Sequence, residues 1–175
     1  MINEIVKRNG ITFGVITGIF SSLITASIYA IDLNLYVSTW LGISIIAMYI
    51  IIEIILLSKT KRELKGIYTF KEAFTTYFIA AVVGILIGTS FNILLFNVID
   101  PSAKETLKEI TLKNAVAMMQ KFNSPTAVIN EMIAKMKESN PYSTIDLLKG
   151  SVFSLVLSSI FGLVMAAFFK SKSQE

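Results

Sequence analysis

Apolar residues in this chain gather into four runs that contain no charged side chain: Asn9–Ile31, Leu33–Ile52, Ala73–Ile99 and Gly150–Phe169. Each is close to or beyond the ~20 residues a helix needs to cross a hydrocarbon layer about 30 Å thick. Buried helices of soluble proteins seldom sustain such runs. Four of them in 175 residues predict an all-α membrane protein with four transmembrane helices. The expected spans are about 10–31, 35–57, 71–99 and 148–169, in a single membrane domain covering 1–175. The polar stretch 100–147 separates the third span from the fourth.

Breakers and caps refine these limits. Asp32-Leu33-Asn34 leaves room only for a tight turn, so spans one and two should form an antiparallel hairpin. Tyr36 and Trp40 then fall where an interfacial aromatic belt would lie. Thr69-Phe70-Lys71-Glu72 reads as a capping box, in which the Thr69 hydroxyl accepts from the amide of Glu72 and the Glu72 carboxylate accepts from that of Thr69. Capping explains both residues, which leaves Glu72 no catalytic task to perform. Asp100-Pro101 offers a cap and a first-turn proline for a helix after span three. Ser124-Pro125 repeats that signal. Beyond it Val128, Ile129, Met132, Ile133 and Met136 share one face, the stripe of an amphipathic helix. Asn140-Pro141 ends it, so the insert is expected to be a helical hairpin.

Charge sets the expected orientation. Lys7 and Arg8 precede span one; Lys59, Lys61, Arg62, Lys65 and Lys71 lie between spans two and three; Lys170 and Lys172 close the chain. The turn after span one has none. By the positive-inside rule both termini are expected in the cytoplasm and the insert outside it. Lys7 and Arg8 ahead of an apolar run also resemble a signal peptide, but signal h-regions are about 7–15 residues and this run is longer. An uncleaved first span is expected.

Composition narrows the chemistry. Apolar residues make up 54% and charged residues 16%, against about 45–50% and ~25% in soluble domains. Cysteine and histidine are absent, which removes disulfides, thiolate nucleophiles and the commonest general base and metal ligand. Met118, Met119, Met132 and Met136 are thioethers of the kind that bind copper, but without His or Cys, and with three of the four on apolar helical faces, they are expected to pack. The net charge of +4 gives no reason to expect nucleic acid. No enzyme, cofactor or metal is expected.

Small residues recur every fourth position in three spans: Gly10, Gly14, Gly18, Ser22, Ala26 and Ala30; Ala80, Gly84 and Gly88; and Gly150, Ser154, Ser158, Gly162 and Ala166. Such stripes let helix backbones approach closely. They should pack the bundle internally, or in span one face a second copy. Glu53 is the acid expected within the hydrocarbon, where ionisable groups are costly and are functional candidates. Lys59 lies within snorkelling reach, so a structural pair with Lys59 is expected. Asn92, deeper in span three, is read as an interhelical hydrogen-bonding group.

Gly66-Ile67-Tyr68-Thr69-Phe70-Lys71-Glu72-Ala73-Phe74 resembles the Gly-x-x-[Ser/Thr]-Phe-x-x-Ala-Phe signature that opens the third span in an uncharacterised family of small bacterial four-helix membrane proteins, a domain of unknown function. The layout is similar too: a basic second loop, a Lys- and Met-rich helical insert, Asn-Pro before the last span. The resemblance implies architecture and an inner-membrane location but no catalytic residue. The function expected is an interaction or accessory subunit that contacts a partner through the insert. The alternative is a small dimeric transporter or channel using Glu53. Expected partners are the lipid bilayer and a second copy or another membrane protein.

Overall fold

The computed structural model describes residues 2–138 and 140–171; Lys172 of the basic tail lies outside the described residues. The fold is all-α. Helix α1 spans Glu4–Ile31, α2 Thr39–Glu63 and α3 Phe70–Ile93, which continues as wider π turns over Leu94–Ile99. Helices α4 (Pro101–Lys121) and α5 (Thr126–Glu138) form a hairpin, and α6 spans Thr144–Phe169. Helices α1, α2, α3 with its π extension, and α6 are long and apolar enough to cross a membrane.

Three helix starts differ clearly from those expected, α6 among them, since it begins at Thr144 rather than 148. Helix α1 begins at Glu4, ahead of position 10, because the Asn3 side chain caps it by accepting from the Ile5 amide. The apolar run marks the membrane, and the helix continues past it where Lys7 and Arg8 can stay in water. Helix α2 begins at Thr39 rather than 35 and runs to Glu63 rather than 57. Asp32 Oδ1 accepts from the Asn34 amide at 2.9 Å and its side-chain amide at 2.8 Å. That drives Leu33–Val37 into a tight 3₁₀ turn, and Ser38 becomes the cap of α2. Both halves of the capping box at Thr69 and Glu72 are formed. Asp100 caps α4 through the amides of Ser102 and Ala103, with Pro101 in the first turn. Asn140 Oδ1 accepts from the Tyr142 amide, and Ser143 then caps α6.

Helix α3 is the centre of the bundle, packed along α1 on one side and α6 on the other. Gly10, Gly14 and Gly18 of α1 face Ile79, Val83 and Ile87 of α3 in parallel register. Gly84 of α3 in turn lies close to the Gly14 carbonyl oxygen and Thr17, and Gly88 close to Ser21. Helix α2 touches α1 and α3 but scarcely reaches α6. One core cluster lies at the end bearing the termini, where Val6, Leu57, Tyr68, Ala73, Tyr77 and Met165 meet. Ser171 clasps the α2–α3 loop there, its amide donating to the Tyr68 carbonyl and its hydroxyl to that of Gly66.

The opposite end is closed by the insert. Leu95, Phe96, Ala103 and Leu107 form a second cluster with Tyr29, Tyr36 and Tyr142 packed around it. Tyr36 and Tyr142 each meet the Phe96 ring edge-on with centroids 6.0 Å apart. Tyr36 therefore turns inward against the insert, whereas Trp40 remains 81% exposed, as a belt residue would. On α5 Ile129 is buried, Met132, Ile133 and Met136 are half-buried, and Val128 stays exposed.

Candidate functional site: an intramembrane cavity that ends on Glu53

Glu53 sits on the face of α2 that also carries Ile46, Tyr49 and Ile50, at helical spacings of three, four and seven residues. All four line a cavity of about 720 Å³ between α2 and α6, floored by α3 and by Thr17 and Ser21 of α1. The α3 side supplies Tyr77, Gly84, Gly88, Thr89 and Asn92. The α6 wall supplies Gly150, Ser151, Ser154, Ser158 and Phe161. At the insert end the cavity reaches Pro141 and Asp146. Ile46 and Leu157, on its two long walls, are 60% and 52% exposed, so the space also opens sideways between α2 and α6.

The expected pair with Lys59 is not made. Lys59 Nζ instead stands 5.5 Å from the Phe13 ring centroid and 4.0 Å from Glu63 Oε1. Geometry explains this: six residues along a helix turn through about 600°, so Lys59 leaves Glu53 on another face. Glu63 also takes Arg8 at 2.7 Å and the Asn9 side-chain amide at 3.0 Å, making it the focus of charge at that end. Glu53 remains 93% buried, and among the described residues its Oε2 has no hydrogen-bond partner. Thr17 Oγ1, on the same cavity, is also buried without a partner. Buried polar atoms are normally satisfied, and two orphans in one cavity need a cause.

The Tyr77 hydroxyl and Ser158 Oγ lie 3.0 Å apart, joining α3 to α6. Beyond Glu53 the way is blocked. Leu56, Leu57 and Tyr68 are fully buried, and Asn9, Thr60, Glu63 and Arg8 form a polar network behind them. The cavity thus extends from Glu53 toward the insert end, with packed side chains on the side of the termini.

Asn92 corrects one expectation, since its side-chain amide donates back to the Gly88 carbonyl in its own helix at 2.8 Å. The stripe on α6 divides. Gly162 packs against the Tyr77 ring and Ala166 is fully buried, whereas Gly150, Ser154 and Ser158 line the cavity. Spacing by four drifts about 40° per step around a helix of 3.6 residues per turn, so a long stripe cannot keep one partner. The same drift carries Ala30 of α1 out to an exposed position. Tyr49, Tyr77 and Thr17 were missed by sequence reasoning. Tyr49 was within reach of it, being one helical turn before Glu53. Among the described residues no group of three or more acids is gathered as a metal site.

No curated protein and no solved structure matches the chain. Residues 12–171 match the family model described as protein of unknown function, DUF4199. The match takes in α1 from residue 12 onward, α2, α3, the α4–α5 insert and α6, and this chain belongs to the DUF4199 family.

Proposed function

We propose that this membrane protein is a small non-enzymatic transporter of the bacterial inner membrane, in which Glu53 is the charge-binding group of a solute cavity. One observation carries the reading: a carboxylate with an unsatisfied oxygen is buried at the closed end of a cavity of about 720 Å³. An isolated buried charge is costly enough that it is retained where it meets a proton or a cation. The Lys- and Arg-rich end, with both termini, is assigned to the cytoplasm by the positive-inside rule. The cavity then faces away from the cytoplasm, with Leu56, Leu57 and Tyr68 forming the seal that a transport cycle has to part. Four spans enclose a pathway poorly, so the working unit is a dimer.

Vesicles containing purified protein test this. Wild-type protein should dissipate an imposed proton or sodium gradient faster than empty vesicles, and Glu53→Gln should abolish the difference. Wild-type rates equal to those of empty vesicles overturn the reading. The accessory-subunit reading draws on the hairpin tip, where Phe122, Met118 and Val128 are 75%, 52% and 47% exposed. Recovery of a stoichiometric, unrelated membrane protein in mild detergent, together with no flux, favours it instead.

A further inference from the structure

The cavity wall carries one carboxyl group with an oxygen that no described residue satisfies. Among the described residues that line it Glu53 and Asp146 are carboxylates, and none is Lys or Arg. Asp146, at the insert end, is already engaged by the Ser143 hydroxyl at 2.9 Å and Lys149 at 3.3 Å. Glu53 has no such partner for its Oε2. An anion would enter a space with no positive group to meet it. A bare divalent ion would need about six oxygens gathered at one point, and the described residues hold no such acidic cluster.

The rest of the wall describes the other half of the ligand. Tyr49, Tyr77 and Phe161 present aromatic surface, the last two with ring centroids 6.3 Å apart. Aromatic faces attract a cation held within about 6 Å, and more strongly away from water. Ile46, Ile50 and Leu157 supply apolar surface. The volume lies within the ~300–1,000 Å³ typical of sites for small organic molecules. Access fits the same chemistry, because the exposed walls at Ile46 and Leu157 put the gap between α2 and α6 at the level of the lipid chains.

We infer that this cavity binds a lipophilic organic cation, its positive group set against Glu53 and its apolar or aromatic body along Tyr77, Phe161 and the α2 isoleucines. The inference rests on the reading of the cavity as a solute site and names the class of solute. The cation would supply the counter-charge that Glu53 lacks, and it would arrive through the bilayer, where such molecules concentrate.

Tetraphenylphosphonium and tetraphenylborate have nearly the same shape and opposite charge, which makes them suitable probes. Equilibrium binding to the full chain in lipid nanodiscs should show saturable uptake of tetraphenylphosphonium above empty discs and none of tetraphenylborate. Glu53→Gln should weaken phosphonium binding at least tenfold while melting, without ligand, no lower than wild type. Ser154→Leu narrows the cavity from α6 without touching the acid and should weaken it too. That variant and the borate probe decide the matter if Glu53→Gln does not fold. Equal binding of both probes, or phosphonium binding unchanged in both variants, overturns the inference. Glu53-dependent gradient dissipation without phosphonium binding overturns the solute class and leaves the transporter reading standing. Phosphonium binding that needs Glu53, without flux, supports the site and overturns transport.

Discussion

Gly14 of α1 lies so close to Val83 of α3 that a methyl group added at position 14 would stand 2.6 Å from the Val83 Cβ and 2.8 Å from the Ala80 carbonyl oxygen. The second neighbour is backbone and cannot rotate away. At Gly18 the neighbour is the Ile87 side chain, whose Cβ would stand 2.6 Å from the added methyl group. Overpacking a close contact costs about 1–3 kcal/mol, so Gly14→Ala and Gly18→Ala should each lower thermal stability in detergent. The double Leu variant should fail to form the α1–α3 pair. Val15→Leu, at a position 37% exposed toward lipid, should melt as wild type does. A double Leu variant with an unchanged melting curve would remove this contact from the fold.

The two ends of the α6 stripe should behave oppositely. A methyl group at Gly162 would meet the Tyr77 ring at 2.5 Å, and that ring is fixed by its hydroxyl contact with Ser158. Gly150 has no heavy atom within 4 Å of the same point and faces the cavity. Gly162→Ala should therefore destabilise by about 1–3 kcal/mol. Gly150→Ala should be neutral, or stabilising by up to ~1 kcal/mol through its better helix propensity. Melting temperatures of the two variants, measured side by side, decide it.

The spans, the helical insert and the caps at Thr69 and Asp100 could be read from the sequence because they depend on local rules. Run length, capping chemistry and proline position act within a turn or two. The cavity could not be read in this way. Gly150, Ser154 and Ser158 are small residues whether they meet a neighbouring helix or an open space, and only the placement of α2 relative to α6 separates the two cases. Glu53 was visible as an acid in an apolar run. Its lack of a partner was not, because Lys59 is near in sequence but turns to Phe13 and Glu63.

Asp100 couples the insert to the bundle, and this makes the insert end sensitive to acid. The Ser102 hydroxyl, the Tyr29 hydroxyl and the Ala103 amide hold its carboxyl below the usual aspartate range. A depressed value means that the native state favours the ionised form. The stabilisation is complete above the ordinary aspartate value, about pH 4, and is lost as pH falls through the lower native value. Amide exchange in residues 101–121 should accelerate as pH drops below that range, after correction for intrinsic rates. Asp100→Asn should show faster exchange at neutral pH and a flatter acid response. An acid response identical in the two proteins would place the sensitivity elsewhere.

Orientation can be tested with single cysteines, since the native chain has none. Thr60 is fully buried against Asn9 and would stay silent on either side of the membrane. Ile67 and Phe122, each 75% exposed, report the two ends better. A membrane-impermeant maleimide should label Phe122→Cys once the outer barrier is opened, and should leave Ile67→Cys unlabelled until the cells are lysed. The reverse pattern would turn the protein over and point the cavity at the cytoplasm.

Glu53 and Glu63 occupy the same helix, and removing the charge from each should have opposite effects on stability. Glu63 is held by Arg8 at 2.7 Å, by the Asn9 amide at 3.0 Å and, more weakly, by Lys59. Glu53 is more deeply buried, and among the described residues its Oε2 has no partner and no ion pair is made to it. Glu63 is half-buried and loses charge-assisted hydrogen bonds when neutralised, at a cost of up to ~1 kcal/mol, whereas neutralising an unpartnered buried carboxylate relieves desolvation. Gln has nearly the shape of Glu and keeps a hydrogen-bonding head, so packing is preserved in both substitutions. Glu53→Gln should melt at or above the wild-type temperature in ligand-free detergent, and Glu63→Gln should melt below it. Adding a cation that binds the cavity should raise the wild-type melting temperature and leave Glu53→Gln where it was. A Glu53→Gln protein that melts several degrees below wild type would mean that Glu53 is bound to something structural, and the cavity would lose its charge-binding group.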